Sequence, residues 1–353
     1  MNLIVVNYSM SPKSLVFSHQ RDTVVALSDF FDSVQVFTVE TSSDPLPENI
    51  EVFELPWRIK SPLKNVWIIL ITLYPFLIKN RDSIIFTHMT DIHAAIISPL
   101  TWLLRIRHVL WYAHANNSSY LNWASFFVSK IVSSTSGSCN LNFNKQKIVF
   151  INQGINHQDF NFTIRLSSKL KSILYYGRLD RSKNIHLFLE LILRLRGSGE
   201  LFTLDVFGKS GNSVSEGYLA DIVSIAKTNG LSNQIVFKGV LERKSIPRVS
   251  REYGIFLNLF SGSLDKTLIE ATMLGLLVIT WNREYCLEYG TWSKESVEET
   301  LDFLVGEFSA LRAMSPSELQ EEIERRLKLA IANHSFDSWI LRLISVLKSE
   351  KAA

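Results

Sequence analysis

Short runs of β-branched and aromatic residues recur along the whole chain, and helix-length amphipathic segments separate them. Because strands that alternate with helices form parallel sheets covered on both faces, this alternation predicts an α/β fold. The polar stretch at 156–169 separates two such series, which predicts two doubly wound, Rossmann-like domains. The eleven predicted strands are LIVV (3–6), VQVFT (34–38), EVFEL (51–55), SIIFT (83–87), HVLWY (108–112), KIVSS (130–134), SILYYG (172–177), FTLDVFG (202–208), QIVFKG (234–239), GIFLNLF (254–260) and LLVIT (276–280).

The length of 353 residues also exceeds what one hydrophobic core usually holds. We therefore expect an N-terminal domain over residues 1–165 and a C-terminal domain over 166–335. The tail is helical in pattern, and we expect residues 336–353 to form a helix that returns toward the N-terminal domain.

Composition narrows the classes of function. A formal net charge of +3 does not favour nucleic acid as a partner. The two cysteines, Cys139 and Cys286, lie far apart and form neither a disulfide framework nor a metal-binding pattern. The start MNLIVVNYSM is typical of a first strand and not of a signal peptide, so we expect a cytoplasmic protein.

Residues 65–79, NVWIILITLYPFLIK, are almost wholly apolar. They are fewer than the roughly 20 residues that span a bilayer, and Pro75 interrupts them. A buried helix of the α/β domain is the favoured interpretation. A helix in the plane of a membrane interface is the alternative, since cations flank the segment at Arg58, Lys60, Lys64, Lys79 and Arg81.

Polar side chains follow several predicted strands directly, where open parallel sheets bind ligands. In the second half these side chains include four cations, Arg178, Lys183, Lys209 and Lys266. Because a helix N-terminus at this edge also favours anions, their common partner is predicted to be a diphosphate. In the first half, His88 and His114 occupy the corresponding position after two strands.

Four blocks in the second half occur in a characteristic order: GRLDRSKN (177–184), VFGKSG (206–211), VFKGVLERKSIPRVSREYGIFLNLF (236–260) and LIEATMLGLLVIT (268–280). Together they resemble the nucleotide-binding domain of family-4 (group 1) retaining glycosyltransferases. The resemblance continues more loosely through IIFTHM, VLWYAH and NQGI in the first half. It implies a GT-B fold, in which two Rossmann-like domains face each other across a cleft.

The resemblance also implies roles for matching residues. Arg178 and Lys183 would hold the donor diphosphate and stabilise its developing charge without a metal ion. Glu270 would be the second glutamate of the family's E-x7-E pattern and would accept hydrogen bonds from the ribose hydroxyls. His114 would lie close to the donor sugar. The remaining residues expected around the nucleotide are Gly177, Lys209, Asp265, Lys266 and Thr267.

Each of these positions also has a purely structural interpretation. Arg178 is compatible with a surface salt bridge, and Lys183 with a cation ahead of a helix. Glu270 is compatible with a carboxylate that interacts with a helix dipole, and His114 with a hydrogen-bonded histidine at a strand end.

One position departs from the family pattern. The first glutamate of E-x7-E would fall at Gly262, so the side chain expected beside the donor sugar is absent. Asp265 or Lys266 would have to substitute for it. Altered sugar preference and lost activity are the alternatives.

The function implied is transfer of a hexose, with retained anomeric configuration, from a UDP- or GDP-linked sugar to a glycan or lipid-linked acceptor. No cofactor beyond this donor substrate and no metal are expected. Two alternatives stay open: a catalytically weak or inactive nucleotide-sugar-binding protein, and a nucleotide-sugar epimerase of similar fold.

Overall fold

The structure is a computed structural model that describes residues 1–14, 17–57, 62–114, 116–160, 170–211 and 213–349. The chain divides into two compact units, Met1–Asn152 with Asp337–Ala353, and Gln153–Phe336. The predicted domain boundary between 165 and 166 lies outside the described residues. So do Arg58 and Lys60, two of the cations that flank the apolar segment 65–79.

The first unit contains a seven-stranded sheet in the order β3-β2-β1-β4-β5-β6-β7, and every pair of neighbouring strands is parallel. Its central strands are buried along their whole length because helices cover both faces. The strands are β1 (Asn2–Ser9), β2 (Ser33–Glu40), β3 (Ile50–Glu54), β4 (Ile84–His88), β5 (Arg107–Trp111), β6 (Lys130–Ser133) and β7 (Ile148–Phe150).

Four helices connect these strands: α1 (Ser18–Ser28), α2 (Pro62–Lys79), α3 (Asp91–Leu103) and α4 (Ser119–Phe127). The connections β3–α2–β4, β4–α3–β5 and β5–α4–β6 all run in the same direction across the sheet. Since such crossovers are right-handed, α2, α3 and α4 lie on one face of the sheet as a layer. Within that layer α3 packs against both α2 and α4.

Helix α2 agrees only in part with the interpretation favoured from the sequence. Its inner side is buried through Ile69, Leu73 and Leu77, which belong to one hydrophobic cluster with the sheet. Its outer side is exposed although it is apolar, with Trp67 67% exposed and Ile71 65% exposed. The predicted burial of this helix is therefore confirmed for its inner side only. Among the described residues, no helix has the length and hydropathy needed to cross a bilayer.

The second unit contains a five-stranded parallel sheet in the order β10-β9-β8-β11-β12. The strand order reverses between β8 and β11, which is where doubly wound sheets bind ligands beyond the carboxyl ends of their strands. The strands are β8 (Ser172–Tyr176), β9 (Thr203–Phe207), β10 (Ile235–Gly239), β11 (Ile255–Asn258) and β12 (Leu277–Thr280).

The helices of the second unit pack two hydrophobic clusters against the two faces of this sheet. One cluster contains Phe188 and Leu204, and the other contains Phe256 and Leu268. The helices are α5 (His186–Gly197), α6 (Ser213–Thr228), α7 (Ile246–Val249), α8 (Lys266–Met273), α9 (Arg283–Tyr289), α10 (Leu301–Ala313) and α11 (Pro316–His334).

The last helix, α12 (Phe336–Lys348), packs within the first unit. The ring of Trp339 lies edge-on to Trp111, with 5.0 Å between the centroids. Near the C-terminal end of α12, the Arg107 guanidinium donates a hydrogen bond of 2.7 Å to the carbonyl of Val346. From Asp337 onward, the described part of the tail thus belongs to the first unit and completes its core.

All eleven predicted strands are present, and the predicted α/β class is confirmed. Strand β7 was not predicted, because a strand of three residues leaves too short a run to stand out from the surrounding polar residues.

Candidate functional site

The loops that follow β8 and β9 approach each other closely at the carboxyl edge of the second sheet. The amide of Gly177 donates to the carbonyl of Phe207 at 3.1 Å, and the amide of Leu179 donates to the carbonyl of Lys209 at 3.1 Å. A Cβ atom at Gly208 would lie only 2.0 Å from the carbonyl oxygen of Gly177. Glycine at 208 is therefore required for these two loops to meet.

Lys183 is buried and is paired with a carboxylate. Its ammonium donates to Asp265 Oδ2 at 2.5 Å, and it lies 3.7 Å from the centroid of the Phe260 ring. The side chain keeps only 8% of its surface exposed. Because an aromatic face attracts a cation, Phe260 adds to the attraction of the carboxylate. The charge of Lys183 is thus neutralised by Asp265.

Asp265 caps the N-terminus of α8. Its Oδ1 accepts from the amide of Thr267 at 3.2 Å, while its Oδ2 accepts from Lys183 and from Asn258 Nδ2. Burial raises the pKa of Asp265, but the Lys183 charge and the hydrogen bonds outweigh burial and hold the pKa below its ordinary value. The carboxylate is therefore ionised at the helix end where the sequence analysis expected phosphate.

Glu270 lies on α8 and is almost fully buried, with 2% of its surface exposed. Arg243 Nη1, from the segment after β10, lies 2.8 Å from its Oε1 and forms an ion pair without hydrogen-bond geometry. Within the described part of the chain, this buried Oε1 accepts no hydrogen bond. A buried carboxylate that is paired with one guanidinium still has lone pairs for ligand hydroxyls, because each carboxylate oxygen can accept more than one hydrogen bond.

The hydroxyl of Tyr176, at the end of β8, is a second buried polar group without a hydrogen bond among the described residues. Burial and the nearby charge of Glu270 raise its pKa well above the ordinary value. The hydroxyl therefore stays protonated at every physiological pH and can donate. Its neighbour Tyr175 is different, since it donates to the carbonyl of Arg178 at 2.8 Å.

Phe260 also explains the departure at Gly262. A Cβ atom at position 262 would lie 2.1 Å from Cζ of the Phe260 ring, so no other residue fits there without movement of that ring. The aromatic ring thus stands where the side chain of the first glutamate would begin. The sequence analysis missed Phe260, although its position two residues before the missing glutamate could have drawn attention to it.

Asn282 shapes the loop between β11 and α8. Its Nδ2 donates to the carbonyls of Phe260 and Gly262, at 3.1 and 2.9 Å, and its Oδ1 accepts from the amide of Tyr285. Glu284 Oε2 accepts from the amide of Leu264 at 2.6 Å. Both residues follow β12, so the rule of strand carboxyl ends could have found them. They hold the loop in place from the neighbouring strand.

The other predicted residues occupy more exposed positions. The side chain of Arg178 is 72% exposed, and its nearest carboxylate, on Asp180, lies 3.7 Å away. Lys209 is exposed, and Lys266 is half-buried in the first turn of α8. The second unit therefore brings Lys183, Asp265 and Thr267 together, because Lys183 donates to Asp265 and Asn258 donates to both Asp265 and Thr267. Arg178 and Lys209 extend into solvent.

His114 belongs to the first unit and is exposed. Its ring lies edge-on to Tyr112, with 5.4 Å between the centroids. His88, by contrast, is fully buried, and burial lowers its pKa well below the ordinary value, with the charge of His19 contributing. His88 is therefore a neutral core residue, whereas the role implied for His114 stays a prediction.

Comparison with known families gives one match. Residues 157–291 match the family model of group 1 glycosyl transferases. The resemblance to group 1 is thereby confirmed for this segment, which carries all the contacts described around α8. No curated protein has a sequence that matches this chain significantly.

Solved structures are similar over nearly the whole chain. A glycosyltransferase from Rickettsia africae is 17% identical, with a TM-score of 0.72 and 98% of each chain covered. HepE from Anabaena, solved in complex with UDP-glucose, is 13% identical, with a TM-score of 0.70, 99% of this chain and 100% of that chain. The sucrose-phosphate synthase of Thermosynechococcus elongatus is 13% identical, with a TM-score of 0.70 and 98% of each chain covered. At these identities the similarity concerns the fold, and the predicted GT-B fold with two Rossmann-like domains is confirmed.

Proposed function

We propose that this protein transfers a sugar from a nucleoside-diphosphate donor to an acceptor hydroxyl, with retention of the anomeric configuration. The observation that carries the proposal is the buried Glu270 carboxylate, which is paired with Arg243 and keeps acceptor capacity for ligand hydroxyls. It lies on the helix that follows β11, in the segment that matches group 1 glycosyl transferases. UDP and UDP-glucose, which are bound in structures of the similar HepE, are therefore the first donors to test.

The ribose of the donor would bind to the carboxylate of Glu270. Each of its oxygens can accept from one of the two ribose hydroxyls, which suits a carboxylate better than any other side chain. Tyr176 adds a protonated hydroxyl near this carboxylate. Arg243 offsets the charge of Glu270, so ribose binding need not neutralise a lone buried charge.

The diphosphate would bind at the loops after β8 and β11. Arg178 is one cation available for it, since its side chain is mostly exposed and its pairing with Asp180 is loose. Lys183 would contribute only by sharing its charge between Asp265 and the diphosphate, or by leaving Asp265. Fixed cations of this kind stabilise charge as the sugar–phosphate bond breaks, and the loss of one such contact costs about 10²–10³ in rate.

A front-face route fits the absence of an evident general base among the predicted site residues. The bond between the anomeric carbon and the phosphate oxygen breaks, the acceptor oxygen forms a bond to that carbon from the same side, and the acceptor proton passes to the leaving phosphate. No covalent glycosyl-enzyme forms in this route. Mass spectrometry of the protein incubated with donor alone would contradict the route if it detected a stable sugar adduct.

The first experiment is calorimetric titration with UDP, GDP, UDP-glucose and GDP-mannose. We expect one class of nucleotide to bind, and we expect Glu270→Gln to weaken that binding by about tenfold, because the substitution removes a charged acceptor. Glu190→Gln is the matched control, since Glu190 is an exposed carboxylate on α5 that pairs with Arg194. If no nucleoside diphosphate binds, or if Glu270→Gln binds as tightly as the unaltered protein, the proposal is wrong.

The second experiment tests transfer. We expect release of UDP or GDP from the donor to be accelerated by an acceptor extract, and we expect Arg178→Ala to lower this rate while leaving thermal stability unchanged. Product analysis by NMR would give the anomeric configuration. Recovery of an epimerised sugar instead of a glycoside would favour an epimerase.

A catalytically weak nucleotide-sugar-binding protein is the second candidate. Two observations favour it: Phe260 occupies the space beside Gly262, and Asp265 neutralises Lys183. The distinguishing result is tight binding of a nucleotide sugar without turnover on any acceptor. In that case the variant Gly262→Glu combined with Phe260→Ala, which restores the family's first glutamate and makes room for it, would be expected to raise the rate of donor hydrolysis.

A further inference from the structure

The helix layer α2–α3–α4 of the first unit has an outer surface made of large apolar side chains. Trp67, Trp102 and Trp123 are 67%, 61% and 53% exposed, which is unusual for the largest aromatic residue. We call this surface the aromatic face; its exposed residues are Trp67, Ile71, Tyr74 and Ile78 on α2, Trp102 and Leu103 on α3, Tyr120, Trp123 and Phe126 on α4, and Phe143 in the loop before β7.

The exposed apolar residues of α2 recur along the helix on one side. Residues 67, 71, 74 and 78 recur at the spacing of one helix face, and all four are large and apolar. The opposite face, with Ile69, Leu73 and Leu77, is already buried in the core. An ordinary surface helix carries polar residues on the side that does not face the core. Helix α2 is therefore apolar on both sides, and its outer side has no partner within the described residues.

On α3, α4 and the loop before β7, aromatic side chains of the face lie close to one another. The rings of Trp123 and Phe127 lie 5.0 Å apart, and Trp102 lies 6.0 Å from the same Phe127. Phe126 and Phe143 lie 6.4 Å apart. Contiguous apolar surface of this kind on a folded protein marks an interaction site, whereas isolated exposed apolar residues do not.

Charge distinguishes the possible partners. The sequence contains no aspartate or glutamate from residue 55 to residue 81, and none from residue 92 to residue 158. These two stretches include α2, α4, nearly all of α3 and the loop with Phe143. Cations are present in them, with Lys64, Lys79, Arg81 and Lys145 exposed. Lys147 donates to the carbonyls of Ser125 and Phe126, at 2.8 and 3.1 Å, and so places a positive charge at the C-terminal end of α4.

We propose that the aromatic face docks onto the surface of an anionic lipid bilayer. In this arrangement α2, α3 and α4 lie in the plane of the interface, with their aromatic side chains among the headgroups and upper acyl chains. Tryptophan and tyrosine are suited to that depth because one end of each side chain is apolar and the other is polar. The surrounding lysine and arginine side chains pair with anionic headgroups.

A second copy of the chain is a weaker candidate for the partner. A symmetric dimer through this face would bring the same acid-free, cationic surface of each copy against the other, so that like charges would meet. An anionic bilayer satisfies the apolar residues and the cations together. The proposal does not depend on the proposed sugar transfer, because the residues of the nucleotide site all belong to the second unit.

The test is cosedimentation of the purified full chain with sucrose-loaded vesicles. One set contains phosphatidylcholine alone, and the other contains about 30% phosphatidylglycerol, at about 0.05 M and about 0.5 M salt. We expect binding to the anionic vesicles, weaker binding at the higher salt concentration, and little binding to the neutral vesicles. Absence of binding to anionic vesicles at low salt would overturn the proposal.

Matched variants distinguish vesicle binding through the aromatic face from nonspecific adsorption. The triple variant Trp67→Ser, Ile71→Ser and Trp123→Ser removes apolar residues from the face and should reduce partitioning at least about tenfold. The control triple variant is Leu201→Ser, Val240→Ser and Leu287→Ser, which replaces exposed apolar residues of the second unit and should leave binding unchanged. Equal effects of the two triple variants would contradict the proposal.

Two double charge-reversal variants provide a second test. Lys64→Glu with Lys79→Glu should abolish the preference for anionic over neutral vesicles, whereas Lys227→Glu with Lys328→Glu, at exposed lysines of the second unit, should not. Circular dichroism and nucleotide titration confirm that each variant is folded. A size-exclusion profile in which the face variant changes an oligomer into a monomer, without vesicle binding by the unaltered protein, would assign the face to a second copy instead.

Discussion

Helices α2 and α8 reverse the usual arrangement of side chains in opposite ways. Helix α2 of the first unit exposes Trp67 and Ile71, which most proteins bury. Helix α8 of the second unit buries Glu270, which most proteins expose. Each reversal costs free energy in the isolated unit, either as apolar surface in water or as a carboxylate removed from water. In both helices, the residue on the unexpected side indicates a partner, and the type of residue indicates the chemistry of that partner.

The largest expected effect concerns the buried charge at the start of α8. Lys183→Ala should lower the free energy of unfolding by about 3 kcal/mol, because it leaves the Asp265 carboxylate buried without its cation. Urea denaturation of the purified variant measures this. Arg178→Ala removes a cation from the same loop whose side chain is mostly exposed, and it should change the stability little. If the two variants lost the same amount, the Lys183–Asp265 pair would not be a buried one.

The second prediction contrasts the two sides of α2. Leu73→Ala should destabilise the protein by about 3 kcal/mol, since it leaves a cavity in the core of the first unit. Ile71→Ala, two residues earlier and on the outer side, should change stability by less than about 0.5 kcal/mol. Thermal unfolding of both variants provides the check. A large loss for Ile71→Ala would mean that its side chain is covered in the isolated protein.

The third prediction uses two adjacent tyrosines at the end of β8. Tyr176→Phe removes a buried hydroxyl that has no hydrogen bond to any described residue, so stability should rise by up to about 1 kcal/mol. Tyr175→Phe removes a hydrogen bond to the carbonyl of Arg178, so stability should fall by about 1 kcal/mol. Opposite signs in denaturation experiments are the expected result. Equal losses would indicate that the hydroxyl of Tyr176 has a partner in the ligand-free protein.

The smallest effect is a dependence on pH. The pKa of Asp265 in the folded protein lies below the ordinary value of 3.8, so the unfolded chain binds a proton at this residue more readily than the folded one. Its contribution to stability is therefore complete above that ordinary value and is lost as the pH falls through the lowered pKa. The difference in unfolding free energy between the unaltered protein and Asp265→Asn should be constant from pH 7 to about 5 and should shrink below about 4. A difference that grows with acidification would have the wrong sign.

The sequence predicted a large part of the candidate site because the rule for open parallel sheets depends only on where strands end. Lys183, Asp265 and Thr267 were predicted as site residues in this way, or through the family pattern, and the structure places them in one hydrogen-bonded group with Asn258. The sequence could not show that Lys183 pairs with Asp265, since the two residues lie 82 positions apart in the chain. Arg243 was missed for the same reason, because its approach to Glu270 depends on how the loop after β10 folds back.

The strand and helix pattern, the acid-free stretches and the group 1 motifs are properties of the sequence itself, because periodicity, composition and local order are written along the chain. Three features belong to the tertiary structure alone. They are the exposed outer side of α2, the ring of Phe260 beside Gly262, and the ion pair that neutralises Lys183. Each depends on which distant residues meet in space. For α2 in particular, an apolar run predicts the same helix whether its second side faces protein or solvent, and only the packing of the sheet and its neighbouring helices decides between them.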